Sequence, residues 1–206
     1  MRVKYPRTLH LPWSPGGSSD DKYLDYNPFE GKVVVVTEKM DGENTTLYTD
    51  GLHARSTDSA HHPSRAWVKG FWAANIQNKL WSSTMRICGE NMYARHSIAY
   101  EDLESYFLGF SAWEGDYCWG WDETQLIFDE FNITPVPVLF YGPYADFNRY
   151  LIWPREGYVI RLASGFEMKD FQTSVAKYVR PNHVQANAKH WASGHVIPNR
   201  LRSERV

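Results

Sequence analysis

Lys39 is the residue of this chain whose surroundings point most directly to chemistry. It follows the β-branched run Val33–Thr37 and Glu38, and it stands two residues before Asp41-Gly42. The run predicts a buried strand and Asp-Gly predicts a tight turn, so the amine would lie at a strand end beside a pocket. An amine held in this way can attack a carbonyl or a phosphorus centre. Taken alone, the same pattern is also typical of a solvated turn lysine.

Four more charged residues lie at the edges of apolar strands. They are Arg55, Glu90, Glu156 and Lys177. A glycine lies directly beside each of the two glutamates, which permits close approach of the backbone and favours a pocket over a surface role. Hairpin strands often carry an outward arginine, so Arg55 has either a role in the pocket or a role on the surface.

The elements that must position these residues predict an α+β domain rather than a doubly wound parallel sheet. Strands are expected at 33–37, 45–49, 52–56, 86–91, 106–113, 136–141, 156–162 and 174–180. Helices are expected at 64–81, with Ser64 as the cap, and at 122–131, with Asp122 as the cap, and a short one at 146–152. Asp50-Gly51 indicates a hairpin. Residues 1–31 are rich in Pro, Gly, Ser and Asp and are expected to be irregular.

Composition narrows the class of protein. The 206 residues are enough for a real core, and aromatic residues reach 16%. A formal net charge of −2 argues against an overall basic nucleic-acid coat, although the last 30 or so residues are locally basic. Cys88 and Cys118 show no zinc-ligand spacing and are expected to be buried apolar residues. No signal peptide or membrane span is expected, which favours a soluble cytoplasmic protein.

Five segments in chain order resemble the motifs of the covalent nucleotidyltransferase superfamily, which includes polynucleotide ligases and messenger-RNA capping enzymes. The segments are Glu38–Gly42, Gly89-Glu90, Tyr106–Phe110, Glu156–Arg161 and Ala176–Tyr178. The likeness is strongest to ATP-dependent RNA ligases, in particular short bacterial and phage RNA-ligase-like proteins. It covers about residues 33 to 180. The implied fold is a nucleotidyltransferase domain, ATP-grasp-like, of mixed and largely antiparallel sheets with flanking helices.

The resemblance implies a role for each matching residue. Lys39 would attack the α-phosphate of ATP and carry AMP, and Lys177 would stabilise the phosphate charge. Glu156 would hold Mg²⁺ or Mn²⁺, and Glu90 would bind a ribose hydroxyl. The cofactor-binding set implied is Glu38, Arg55, Glu90, Phe110, Glu156 and Lys177. AMP would pass to an RNA 5′-phosphate, and a 3′-hydroxyl would then displace it and join the ends.

Several alternatives stay open. Phe107 competes with Phe110 for stacking on adenine, since the two lie on opposite faces of one strand. Val175 stands where the family commonly has a lysine, so either Arg180 compensates or one phosphate contact is missing. Glu38 is as well explained by a structural role. The adjacent pair His61-His62 is better explained as a loop before a helix than as a metal site, with His62 and Arg65 as an alternative phosphate contact.

The domain organisation expected is an N-terminal segment at 1–31, a catalytic domain at 32–182 and a short basic C-terminal tail at 183–206. The tail is too short for an OB domain, which argues against capping enzymes and against most DNA ligases. The implied partners are ATP, RNA ends and a repair partner protein, in the cytoplasm of a bacterial or phage-infected cell, with no membrane. The competing functions are a DNA or mixed polynucleotide ligase of the same superfamily and a non-catalytic RNA-end-binding protein.

Overall fold

The structure, a computed structural model, describes residues 2–17, 20–58, 61–151, 156–181 and 195–204. The end of the short helix expected at 146–152 and most of the basic tail expected at 183–206 lie outside these residues. The α+β class is confirmed, with two largely antiparallel sheets and few helices. No helix in the described ranges has the length and apolar character needed to cross a bilayer.

The first sheet has five strands and carries Lys39 at one strand end. Its order is β1 (Leu9–His10), β12 (Val175–Val179), β10 (Gly157–Leu162), β2 (Val33–Glu38) and β9 (Val138–Pro143). All pairs are antiparallel except β1 with β12, which are parallel. The four valines of β2 make it a central strand, since three of them are fully buried. Strand β1 lies inside the N-terminal segment that was expected to be irregular.

The second sheet has seven strands and carries Glu90 and Phe110. Its order is β11 (Phe166–Glu167), β7 (Tyr117–Cys118), β6 (Phe107–Glu114), β5 (Met85–Asn91), β3 (Glu43–Tyr48) and β4 (Gly51–Ala54), with the short β8 (Thr134–Pro135) parallel to β6. The expected hairpin is β3–β4, but its loop is Thr49-Asp50, because Gly51 already pairs with Tyr48. Strand β4 therefore ends one residue before Arg55.

In the described part of the chain, three α-helices pack on the sheets: α1 (Ala66–Asn75), α2 (Trp121–Glu130) and α3 (Phe171–Ser174). The prediction of a helix over 64–81 was too long. The chain turns at its end, where Trp72 O accepts from both Ile76 N and Gln77 N, and Asn78 has a positive φ of 59°. A single 3₁₀ turn, Pro63–Arg65, precedes α1.

Asp122 is not the cap of α2, which was a wrong prediction. The flanking residue is Gly120, whose carbonyl accepts from Thr124 N, and Trp121 N is satisfied by Ala163 O. Asp122 lies in the first turn instead, where its negative charge interacts favourably with the positive end of the helix dipole. The short helix expected at 146–152 is replaced, in its described part, by 3₁₀ turns at Tyr144–Asp146 and Arg149–Leu151.

Buried apolar clusters lie on both faces of each sheet. One cluster packs α1 and α2 on the second sheet, and Phe107 and Phe128 are fully buried within it. The two cysteines are 1% and 0% exposed among apolar neighbours, as expected. The described part of the C-terminal tail docks beside β5, where the Asn199 side chain donates to Met92 O at 2.7 Å.

Candidate active site

The Lys39 amine is held against a buried acid from a distant part of the chain. Lys39 N donates to Gly157 O at 3.0 Å, which ties the end of β2 to the start of β10. The Nζ atom then forms an ion pair with Glu156 Oε1. The Lys39 side chain is 25% exposed and that of Glu156 only 7%, so the amine faces open space and the carboxylate lies behind it. The solvated turn lysine is therefore not what the fold contains.

A cleft of about 600 Å³ opens in front of Lys39, between the two sheets. Strand ends of both sheets and the N-terminal segment line it. Six of the seven candidate residues are among the lining residues: Glu38, Lys39, Arg55, Glu90, Phe110 and Lys177. The seventh, Glu156, contacts Lys39 from behind. Tertiary folding thus brings together residues that are up to 139 positions apart in the sequence, the separation from Glu38 to Lys177.

Glu90 is an acid that prefers to be neutral in this site. Burial, with smaller contributions from the nearby charges of Glu156 and Asp41, raises the pKa of the Glu90 carboxyl from 4.5 to about 8. The Lys39 ammonium and the Gly42 backbone oppose that shift. At neutral pH Glu90 can therefore donate a hydrogen bond as well as accept one.

Lys177 lies across the cleft and is half-buried. Burial lowers the pKa of its ammonium, while Asp21 counteracts the shift. The Asp21 Oδ1 atom is 3.3 Å from Lys177 Nζ. Asp21 also lines the cleft, and no sequence signal separated it from the other acids of the N-terminal segment.

The two aromatic candidates on β6 lie on opposite faces of the sheet. Phe107 is 0% exposed and packs against α1 and α2 in the core. Phe110 lies at the cleft, with Tyr5 edge-on to it at a ring-centroid distance of 5.2 Å. Phe110 is therefore the ring that a planar ligand in the cleft can reach.

Arg55 and Glu38 occupy the margins of the cleft. Arg55 is exposed, directly after β4. Glu38 is half-buried, and its backbone N donates to Pro137 O at 2.8 Å. Both line the cleft, and Glu38 is held there as the last residue of β2.

The turn after Lys39 is fixed by contacts that sequence reasoning missed. The Asp41 carboxylate accepts from Ser97 N at 2.8 Å and Ile98 N at 2.9 Å. Asp41 N donates to the Tyr100 hydroxyl at 3.1 Å. This Asp therefore shapes the loop that lies over the turn, and His96 of that loop lines the cleft.

Arg65 and Glu43 form a second fixed pair at the cleft. The guanidinium donates to both carboxylate oxygens, from Nε at 2.7 Å and from Nη2 at 2.5 Å. The two side chains are 12% and 11% exposed. His62 hydrogen-bonds Ser64 at 2.6 Å and starts the 3₁₀ turn. His61 and His62 directly precede this turn and α1, which is the position that the loop-before-helix interpretation gave them.

Val175 is embedded in an apolar part of the cleft wall rather than at a charged one. It is 4% exposed and packs with Cys118, Phe166 and Phe171. Arg180 is not among the lining residues, and the cation opposite Val175 is Arg161, its cross-strand partner. Arg161 donates to the carbonyls of Phe110, Trp119 and Leu162. Its charge thus fixes the strand that carries Phe110.

Comparison with known proteins identifies the family. The family described as RNA ligase matches residues 32–179, well over half of the chain. The chain belongs to the RNA ligase family. A comparison with curated protein sequences gives no significant match.

Solved structures similar to this RNA ligase family member share its fold at low identity. A Naegleria gruberi RNA ligase, solved as a point mutant in the apo state, gives a TM-score of 0.53 at 15% identity, covering 86% of this chain and 57% of that one. An archaeal ATP-dependent RNA ligase gives 0.51 at 17% identity, covering 86% and 48%. An Aquifex aeolicus protein provisionally named an ATP-dependent DNA ligase gives 0.52 at 16% identity, covering 86% and 50%. The chain spans about half the length of these proteins.

A divalent cation fits the chemistry of the acids at Lys39. Among the residues that the structure describes, no three His, Cys, Asp or Glu side chains are grouped to hold a metal by themselves. Mg²⁺ commonly uses one or two carboxylates and completes its shell with water and substrate phosphates. Glu156, a buried carboxylate facing the cation of Lys39, has the oxygen chemistry that such a ligand requires. The site therefore suits a metal that arrives with a phosphate ligand.

Proposed function

We propose that this member of the RNA ligase family joins RNA 5′-phosphate and 3′-hydroxyl ends, using ATP, through a covalent AMP adduct on Lys39. The observation that carries the proposal is the Lys39 amine, backed by buried Glu156 and facing a cleft lined by Glu90, Phe110 and Lys177. A volume of about 600 Å³ is within the range of small-molecule sites and suits a nucleotide.

The first step is nucleophilic attack by Lys39. The neutral amine forms a bond from nitrogen to the α-phosphorus, and the bond from that phosphorus to the bridging oxygen breaks, so pyrophosphate leaves. Lys39 becomes neutral by releasing one ammonium proton to solvent, and its nitrogen releases a second proton to solvent as the bond to phosphorus forms. Negative charge grows on the phosphoryl oxygens, and the fixed ammonium of Lys177 stabilises it. A Mg²⁺ or Mn²⁺ ion held by Glu156 would add positive charge beside those oxygens when bound.

The other residues orient the nucleotide. Phe110 stacks on adenine, a contact that every base can make. Glu90 hydrogen-bonds a ribose hydroxyl and, as a neutral acid, adds no repulsion to the phosphates. Glu38 contacts the base, and Arg55 at the cleft margin contacts the ribose or the phosphate of the incoming end.

Two transfers follow the adduct. The RNA 5′-phosphate attacks the phosphorus of lysyl-AMP, which releases Lys39 and leaves AMP on the RNA end. The 3′-hydroxyl then attacks the 5′-phosphorus and expels AMP. The proposed setting is RNA repair in the cytoplasm of a bacterial or phage-infected cell, where a repair partner would deliver the broken ends.

The test is transfer of label from ATP labelled at the α-phosphate, with Mg²⁺ or Mn²⁺ present. We expect label on the wild type and none on Lys39→Ala. Lys32→Ala, an exposed lysine at the start of the same valine run, is the matched control and should label as the wild type does. If the wild type forms no adduct with any nucleoside triphosphate, the proposed enzymatic function is refuted.

Two other functions have an observation in their favour. The Aquifex aeolicus protein shares the fold, so DNA is an alternative acceptor. The apolar setting of Val175 favours a non-catalytic protein that binds RNA ends. To distinguish DNA from RNA as the acceptor, the adenylated enzyme is given nicked duplexes of one sequence made of RNA or of DNA. The adduct assay distinguishes the enzyme from a non-catalytic RNA-end-binding protein, since the binding protein forms no adduct.

A further inference from the structure

The N-terminal segment places a group of polar side chains next to Lys177. Strand β1 pairs in parallel with β12, and the register sets His10 opposite Lys177. The segment then returns past the cleft, where His10 N donates to Lys22 O at 2.8 Å. This return fixes Asp21, the neighbour of Lys22, beside the Lys177 ammonium.

His10 lies behind Asp21 and is fully enclosed. It is 1% exposed, and its ring packs on Tyr23 at a centroid distance of 4.9 Å. Its Nε2 atom is 3.3 Å from Asp21 Oδ1, and its Nδ1 atom is 2.8 Å from Ser14 Oγ. Burial lowers the pKa of His10, so the ring is neutral at pH 7.

Polar contacts join Ser14, His10 and Asp21. Val179 N donates to Ser14 Oγ at 2.9 Å, and this hydroxyl lies 3.4 Å from Val179 O and 2.8 Å from His10 Nδ1. On the other side of the ring, Nε2 faces Asp21 Oδ1 at 3.3 Å. These contacts therefore connect Val179 of β12, through Ser14, His10 and Asp21, to Lys177 on the same strand.

Lys177 needs such support because it is half-buried. Desolvation disfavours its ammonium, and a neutral amine could not stabilise phosphate charge. The titratable groups that act on it are Asp21, Lys39 and Glu156, with the neutral ring of His10 beside Asp21. Of these, Asp21 makes the largest contribution that keeps Lys177 charged.

We propose that Asp21, aligned by His10, is a positioning residue that holds the Lys177 ammonium in place at the phosphate end of the cleft. The inference rests on the proposed adenylation of Lys39. It assigns to the N-terminal segment a direct part in the first chemical step. Asp21 acts through Lys177 and contacts no reacting atom.

The test compares Asp21→Asn with Asp20→Asn in single-turnover adduct formation at saturating labelled ATP. Asp20 is exposed and adjacent, and the contact of its backbone O with Arg7 survives the change. We expect a rate roughly 10- to 100-fold lower for Asp21→Asn, the effect of losing a hydrogen bond to a charged group. The KM for ATP should change little, and Asp20→Asn should match the wild type. Asp21→Glu, which keeps the charge, should recover part of the rate.

Two further readouts separate positioning from a structural role. In a Lys177→Ala background, Asp21→Asn should cost less than about twofold, because its effect acts through the missing ammonium. The alkaline limb of the pH–rate profile of Asp21→Asn should move to lower pH, since Asp21 raises the pKa of Lys177.

Equal adduct rates for Asp21→Asn and the wild type would overturn the inference, as would an undiminished loss in the Lys177→Ala background. A lower thermal unfolding midpoint with no recovery in Asp21→Glu would also overturn it, by assigning Asp21 to folding. Failure of the proposed function is a different result, since the wild type itself would then form no adduct.

Discussion

Replacing Glu90 by Gln should remove a pH-dependent loss of stability. The native carboxyl has a pKa of about 8, raised mainly by burial, whereas the ordinary value is 4.5. Between pH 4.5 and 8 the native state therefore holds a proton that the unfolded chain has lost. Stability falls with rising pH in that window, because the unfolded state binds fewer protons. Gln stays neutral and mimics the protonated acid.

The stability that Glu90 costs depends on how much of the interval between its unfolded and native pKa values the two test pH values span. From about pH 6 to about pH 9, roughly two pH units lie below the native pKa of about 8. At about 1.4 kcal/mol per unit, the wild type loses about 3 kcal/mol from this group over that range. For a chain of this length, about 1 kcal/mol corresponds to about 2–4 °C in Tm. The Tm of Glu90→Gln minus the Tm of the wild type should therefore increase by about 6–12 °C from about pH 6 to about pH 9.

Thermal unfolding followed by circular dichroism, in buffers with a chelator to exclude metal, measures this advantage at both pH values. Glu167→Gln, an exposed glutamate on β11, is the matched control and should show no pH-dependent advantage. Other titrating groups are common to all three proteins and cancel in the comparison. A Glu90→Gln advantage that is the same at both pH values would refute the assignment of a raised pKa.

Two further predictions concern packing at the site. Phe110→Ala should raise the KM for ATP roughly 10- to 100-fold in the adduct assay with little change in Tm, from the loss of one base-stacking contact. Phe107→Ala should instead lower stability by about 3–5 kcal/mol in urea unfolding, because its ring is fully buried; the opposite pattern would contradict the face assignment. Gly157→Ala should destabilise by about 1–3 kcal/mol and slow adduct formation, because its methyl group would lie 1.9 Å from Tyr178 O beside the Lys39 anchor. Gly70→Ala, which meets open space in α1, should not destabilise, and equal behaviour of the two would count against the close approach.

Local patterns predicted most strands because periodicity and β-branched runs act over a few residues. Strand β2 ends one residue later than expected, and β5 begins one residue earlier. Helix ends were predicted less well. The length of α1 and the cap of α2 depend on contacts with Thr49 O and Ala163 O, which lie far away in the sequence. Such partners are not visible in a local window.

The sequence by itself determined the inventory of the site: a lysine after a buried strand, acids beside glycines, an aromatic strand and a final lysine, in the order of the RNA ligase family. It could not determine which residues face each other. Only the tertiary structure set Glu156 behind the Lys39 amine and turned Phe110, not Phe107, to the cleft. It also brought Asp21 and His10 to Lys177 and paired Glu43 with Arg65. The physical reason is that pairing in a sheet joins residues by register, and register is set by the burial of whole faces rather than by neighbouring residues.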